Sequence, residues 1–121
     1  MDCVFCKIVE GKIPAVKVSE KPSWIAIRDI NPQAPQHILV FPKEHVPRLT
    51  AKFADGEVRV EYYGDTLLRV VADIAQTLGL TDYRIVINNG PGAGQEIPHL
   101  HAHILGGWAE GEWPRIVGEK V

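Results

Sequence analysis

His99-Leu100-His101-Ala102-His103-Ile104-Leu105 is the stretch that decides the fold, because imidazole and apolar side chains alternate through it without a break. A period of two is the pattern of a β-strand, which sends the three imidazoles to one face and Leu100, Ala102 and Ile104 to the other. At a rise of about 3.3 Å per residue, neighbouring histidines on that face stand roughly 7 Å apart at Cα, so adjacent rings can share one substrate or one ion. The chain has five histidines, and three of them fall here.

Three kinds of chemistry fit such a row. The rings can be ordinary surface groups on a solvated sheet, although imidazole has no packing advantage over Thr or Val there. They can form a three-histidine zinc centre that activates water. Or one ring can attack phosphorus, forming a histidine-bound intermediate that water later opens. The segment upstream, Asn89-Gly90-Pro91-Gly92-Ala93-Gly94-Gln95, favours the third reading. Its glycines permit backbone angles that aim several N–H groups at a phosphate.

Outward from the row, Tyr83 to Asn88 reads as a buried strand, and Lys17 to Glu20, Trp24 to Asp29 and His37 to Pro42 as three more, punctuated by Pro and Gly. The long helix candidate runs from Gly56 to Leu78, with Val60, Leu67, Leu68, Val71, Ile74, Ala75 and Leu78 at helical spacing and Gly79 as its stop. Asp2 to Glu10 predicts a short helical turn capped by Asp2. This order predicts an α+β fold, a mostly antiparallel sheet of about five strands with one long helix and a short N-terminal helix.

With 121 residues, 45% hydrophobic content and no repeat or linker, residues 1–121 read as a single domain built around one site. A formal charge of −2 with acids and bases interspersed gives no basic stripe, which argues against nucleic acid as a partner. The N-terminus lacks a leader pattern and no apolar run reaches membrane-spanning length, so no membrane partner and a cytoplasmic location are expected. Two cysteines are too few for a disulfide framework.

The segment from Asn88 through Gly94-Gln95 and the histidine row to Gly106-Gly107 resembles the signature of the histidine triad (HIT) family, His-φ-His-φ-His-φ-φ with φ apolar. Asp29-Ile30-Asn31-Pro32-Gln33-Ala34-Pro35-Gln36-His37-Ile38-Leu39-Val40 and Pro42-Lys43-Glu44-His45 are similar to the nucleoside-binding stretch of its Hint-like branch, the purine nucleoside phosphoramidases.

The resemblance implies that His101 attacks the α-phosphate of a purine nucleoside monophosphate conjugate to give a nucleotidyl-histidine, with no cofactor needed for the chemistry. A neutral imidazole is nucleophilic near pH 7, and its second nitrogen can be oriented by a carbonyl. His103, Asn88, Gly94 and Gln95 are implied phosphate contacts, and His37 supports the nucleophile from a neighbouring strand. Asp29 suits the ribose hydroxyls, since a carboxylate accepts two hydrogen bonds from a vicinal diol. Phe5, Ile8, Ile27, Ile30 and Leu39 are expected to wall an apolar base pocket.

Cys3-Val4-Phe5-Cys6 has zinc-knuckle spacing, and His45 and His99 would complete a structural Cys2His2 site, as in some triad proteins. Two free thiols are the plainer alternative, and a redox pair would want a thioredoxin-like βαβ context.

The chain departs from the pattern at Glu96, where many Hint-like members carry a serine near the leaving group; a carboxylate there repels phosphate or acts on an amine. Pro98 confines that strand end to an edge or a bulge. Gly106-Gly107-Trp108 and Trp113-Pro114 resemble the C-terminal stretch that shapes substrate preference in dimeric members, implying a homodimer with the long helix and the Tyr83 to Ile87 strand as interface candidates. The competing reading is a nucleotide-binding or scaffold module with little turnover.

Overall fold

The computed structural model describes residues 3–113. Five strands form one antiparallel sheet: β1 (Lys17–Glu20), β2 (Trp24–Arg28), β3 (Gln36–Pro42), β4 (Tyr83–Val86) and β5 (Ala102–Gly106). Their order is β1-β2-β3-β5-β4, so β5 lies inside the sheet between β3 and β4. Two helices, α1 (Val4–Val9) and α2 (Val60–Thr77), complete the α+β architecture.

Alternation along the central strands sorts side chains between two cores. Ile38 and Val40 of β3 and Ala102 and Ile104 of β5 face α2, where they meet Leu67, Val71 and Ile74. Leu100 joins them, so the apolar half of the histidine row is buried as its spacing predicts. The other face carries Ile25, Ile27, Leu39 and Phe41, covered by Phe5 and Ile8 of α1. Phe5 stacks on Phe41 with ring centroids 4.2 Å apart, which fixes α1 against β3.

Several boundaries differ from expectation. The expected Asp2 cap lies outside the described residues; Cys3 is the cap, its Sγ accepting from the Cys6 N–H at 3.4 Å. The long helix starts at Val60 instead of Gly56, because Gly56 has φ +82° in a turn that closes on Phe53, with Lys52 bridged to Val58. Its register also shifts: Tyr63 and Val70 are buried, while Val60 and Leu68 are exposed. The strand expected from His99 begins at Ala102, since the Leu100 N–H turns away to the Val46 carbonyl. β4 stops at Val86, which pairs with His103, two residues short of the expected Asn88. No helix among the described residues is long and apolar enough to cross a membrane.

Candidate active site and metal site

The histidines occupy the α1 face of the sheet, and each is oriented by a different group. The Nε2–H of His99 donates to the Pro42 carbonyl at 2.7 Å, which leaves its Nδ1 lone pair facing Cys3 Sγ at 3.3 Å and Cys6 Sγ at 3.7 Å. The Nδ1–H of His101 donates to the His99 carbonyl at 2.7 Å, which leaves the Nε2 lone pair free. Because the Gln33 N–H donates to His37 Nδ1 at 3.0 Å, the proton of a neutral His37 sits on Nε2, from which it donates to His103 Nδ1 at 2.9 Å. The proton of His103 is then on its own Nε2. Two adjacent rings thus carry opposite roles: His101 presents an acceptor and His103 a donor.

The three triad rings do not converge on one point, so they do not form the three-histidine zinc set that spacing alone allowed. Asp29, His37 and His103 do bring ligand-type atoms within 4.8 Å of one another. The Gln33 contact weighs against an ion there, since it holds the His37 proton on the nitrogen that would have to ligate. His37 also acts on a different partner than expected: it reaches His103, and the nucleophile candidate His101 is held by backbone.

Burial keeps these rings neutral. It holds His101 below the ordinary histidine value, against the opposing pull of its bond to His99 and of Asp29. Burial, then the neighbouring His101 and His37, pushes His103 down to about 3. His37 is lowered by burial too, with Asp29, whose Oδ2 lies 3.4 Å from Nε2, opposing.

His101 and His103 open onto a cavity of about 380 Å³. Phe5, Ile8, Ile27 and Leu39 supply its apolar wall, Asp29 and Ile30 one rim, and Asn88, Gly94 and Glu96 the loop side. The wall and the reactive rings are contiguous: Leu39 pairs with Ile27 on one side and His103 on the other, and Phe5 meets His101 edge-on with centroids 5.1 Å apart. Gly94 takes φ +89°, a left-handed turn suited to glycine, next to the 3-10 turn of Pro91–Ala93.

Gln95 requires a correction. It does not line the cavity; its Oε1 accepts from the Gly90 N–H at 2.7 Å, and its Nε2 donates to Pro47 O at 2.7 Å and Ile97 O at 3.0 Å. Its amide therefore shapes the loop and offers no donor to a phosphate. Sequence reasoning also missed the backbone groups of Gln33 and Pro42, which set two tautomers; any residue has an N–H or carbonyl, so no side-chain pattern announces them. Ile13, Pro14 and Asn31 line the cavity as well, without a motif of their own.

A second cluster adjoins the first. Cys3, Cys6, His45 and His99 bring their ligand atoms within 4.8 Å of one another, with Cys6 Sγ 3.3 Å from His45 Nδ1. Tetrahedral zinc at ordinary bond lengths would set sulfur and nitrogen about 3.5 Å apart, so the spacing fits a candidate metal site. Burial, then Cys3, pushes the Cys6 thiol up to about 11, and a bound cation would favour its thiolate form.

At the far edge of the sheet, Arg84 lies over both Trp108 and Trp113, with its guanidinium carbon 5.5 and 5.4 Å from the ring centroids. Pro114 and the polar tail after it lie outside the described residues.

The HIT domain model matches residues 10–110. A maize relative described as a 14 kDa zinc-binding protein is 44% identical over 112 residues, covering 92% of this chain and 85% of the relative. Among solved structures, a histidine triad protein from Clostridium difficile superposes with a TM-score of 0.79 at 39% identity, covering 94% of this chain and 97% of that one. A structure from Legionella pneumophila described as a HIT family hydrolase gives a TM-score of 0.75 at 42% identity, covering 89% and 95%. With its alternating histidines seated on this sheet and the domain match spanning most of its length, the chain belongs to the HIT domain family.

Proposed function

We propose that this protein is a hydrolase that cleaves purine nucleoside 5′-monophosphate conjugates, phosphoramidates foremost, through a nucleotidyl intermediate on His101. One observation carries the reading: the His101 Nδ1–H is held by a backbone carbonyl, so the Nε2 lone pair stands free in a ring that opens onto the cavity. The base rests against Phe5, Ile8, Ile27, Ile30 and Leu39, Asp29 takes the ribose hydroxyls, and Asn88, Gly94 and the His103 Nε2–H hold phosphoryl oxygens.

His101 Nε2 forms a bond to phosphorus while the P–N bond to the leaving amine breaks with its electron pair on nitrogen. That nitrogen takes a proton from water at the cavity mouth. The positive charge on the phosphorylated ring is shared through Nδ1–H with the His99 carbonyl. A water oxygen then attacks phosphorus, the P–Nε2 bond breaks, the proton released neutralises the hydroxide left by the first step, and neutral His101 and the nucleoside monophosphate remain. No ion takes part.

Cys3, Cys6, His45 and His99 hold a structural zinc in this reading, which fastens α1 to the segment bearing His101. The chain works as a cytoplasmic homodimer: β4 ends the sheet, and exposed Ile85, on the α2 side, together with Leu68 of α2 offers apolar surface to a second copy.

The test is intact-mass spectrometry after a rapid, acid-free quench with an adenosine phosphoramidate. An adduct of one nucleoside monophosphate on the wild type, absent from His101→Ala and His101→Gly, supports the reading. No adduct and no released monophosphate would leave a nucleotide-binding module in its place.

A further inference from the structure

Glu96 lies exposed on the rim of the cavity that also takes in His101, His103 and Gly94. Among the described residues no donor or cation engages its carboxylate. The loop behind it is fixed, because the three hydrogen bonds of the buried Gln95 amide anchor the backbone one residue upstream. A free carboxylate is thereby presented from a rigid base, close to where a phosphate is to be held.

The charge balance of the cavity makes this informative. Besides Glu96, its lining has two charged side chains, Arg28 and Asp29. The Arg28 Nη1 donates sideways to Gln36 Oε1 at 2.7 Å, and Asp29 lies beside His37. The formal charges of Arg28, Asp29 and Glu96 sum to −1, and a nucleoside phosphoramidate adds a further negative charge. Two like charges brought into one cleft disfavour binding unless a cation accompanies them. The nucleoside end is accounted for by α1, β2 and β3. Glu96 reaches the cavity from the loop between β4 and β5, beside Gly94 and apart from the elements that wall the nucleoside end.

We propose that Glu96 is a specificity-determining residue for the leaving group, selecting conjugates whose departing amine carries a second, cationic group on a short tail. The assignment rests on the hydrolase reading above. Glu96 supplies only a charge here: the P–N bond breaks as already described, and the nitrogen takes its proton from water.

Three adenosine 5′-phosphoramidates with tails of equal length, ending in an ammonium, a methyl or a carboxylate, test the assignment in wild type, E96Q and E96K. An exposed ion pair supports a preference of roughly two- to fivefold in kcat/KM for ammonium over methyl in the wild type, with the carboxylate lower again. Relative to the wild type, E96Q lowers the ammonium-to-methyl ratio and raises the carboxylate-to-methyl ratio, and E96K shifts both further in the same direction. The inductive effect of each tail on the leaving nitrogen is common to all three enzymes and cancels in the ratio of ratios. Ratios unchanged between wild type and E96Q, or an equal loss on all three substrates, would overturn the proposal. If none of the three turns over, the hydrolase reading fails by itself; the Kd values of the same three compounds, measured by calorimetry, then decide Glu96, and equal values in the wild type would sink it.

Discussion

The carbonyl oxygen of His99 accepts the Nδ1–H of His101 at 2.7 Å, while the His99 ring itself faces Cys3 and Cys6. One residue therefore joins the candidate metal site to the candidate nucleophile, ring to the first and backbone to the second. Such supporting contacts fix both tautomer and ring orientation. Long-range nitrogen–proton NMR at pH 7.5 should find the proton on Nδ1 of His101 and on Nε2 of His37, His99 and His103. A His101 proton on Nε2 would contradict the nucleophile assignment.

Replacing the nucleophile separates binding from chemistry. His101→Gly should lower turnover of an adenosine phosphoramidate by at least ~1000-fold, since loss of a covalent nucleophile removes the path and not merely a contact. Affinity for the product nucleoside monophosphate, read by calorimetry, should change only a few-fold, because Phe5, Ile27, Leu39 and Asp29 remain in place. A Kd that collapses together with kcat would point to a damaged pocket.

If zinc occupies the cysteine–histidine cluster, its removal should cost stability before activity. Elemental analysis should give one zinc per chain, and C6S should release it. The sheet retains its own two cores, so chelation is expected to cost a few kcal/mol, a Tm fall on the order of 10 °C. Activity measured well below that lowered Tm should survive. Immediate loss of all turnover at a temperature where the fold persists would revive metal-activated water.

How much of this was legible in the sequence follows from where the information resides. The alternation from His99 to Leu105 correctly divided the chain's two faces, because side-chain direction on an extended segment is a local property. The same pattern overstated the strand, since pairing depends on where the Leu100 N–H finds an acceptor, and that acceptor is Val46, far away in sequence. The helix register failed at Leu68 and Val60 because apolar residues sit on both sides of α2, and only the sheet decides which side is buried. Gln95 read as a phosphate donor from its position in the motif; its hydrogen bonds to Pro47, Ile97 and Gly90 are contacts that spacing does not encode.

The buried histidines also set the pH response, in activity and in stability separately. Burial lowers His101 from its ordinary value of 6.5, and a protonated ring has no Nε2 lone pair. The acid limb of kcat/KM should therefore lie below pH 6.5. Asp29 pulls that value upward, so D29N should move the limb to still lower pH. For stability the direction is also fixed: His103 titrates near 3 when folded but near the ordinary 6.5 when unfolded, so between those values the unfolded chain binds more protons. Its contribution is complete above pH 6.5 and is lost as pH falls from there toward 3, at up to ~1.4 kcal/mol per pH unit. Urea midpoints should fall between pH 7 and 5 and stay level between pH 7 and 8 so far as this ring is concerned. H103N should flatten the acid slope even if its midpoint at pH 7 is lower, whereas an unchanged slope would place the acid sensitivity elsewhere.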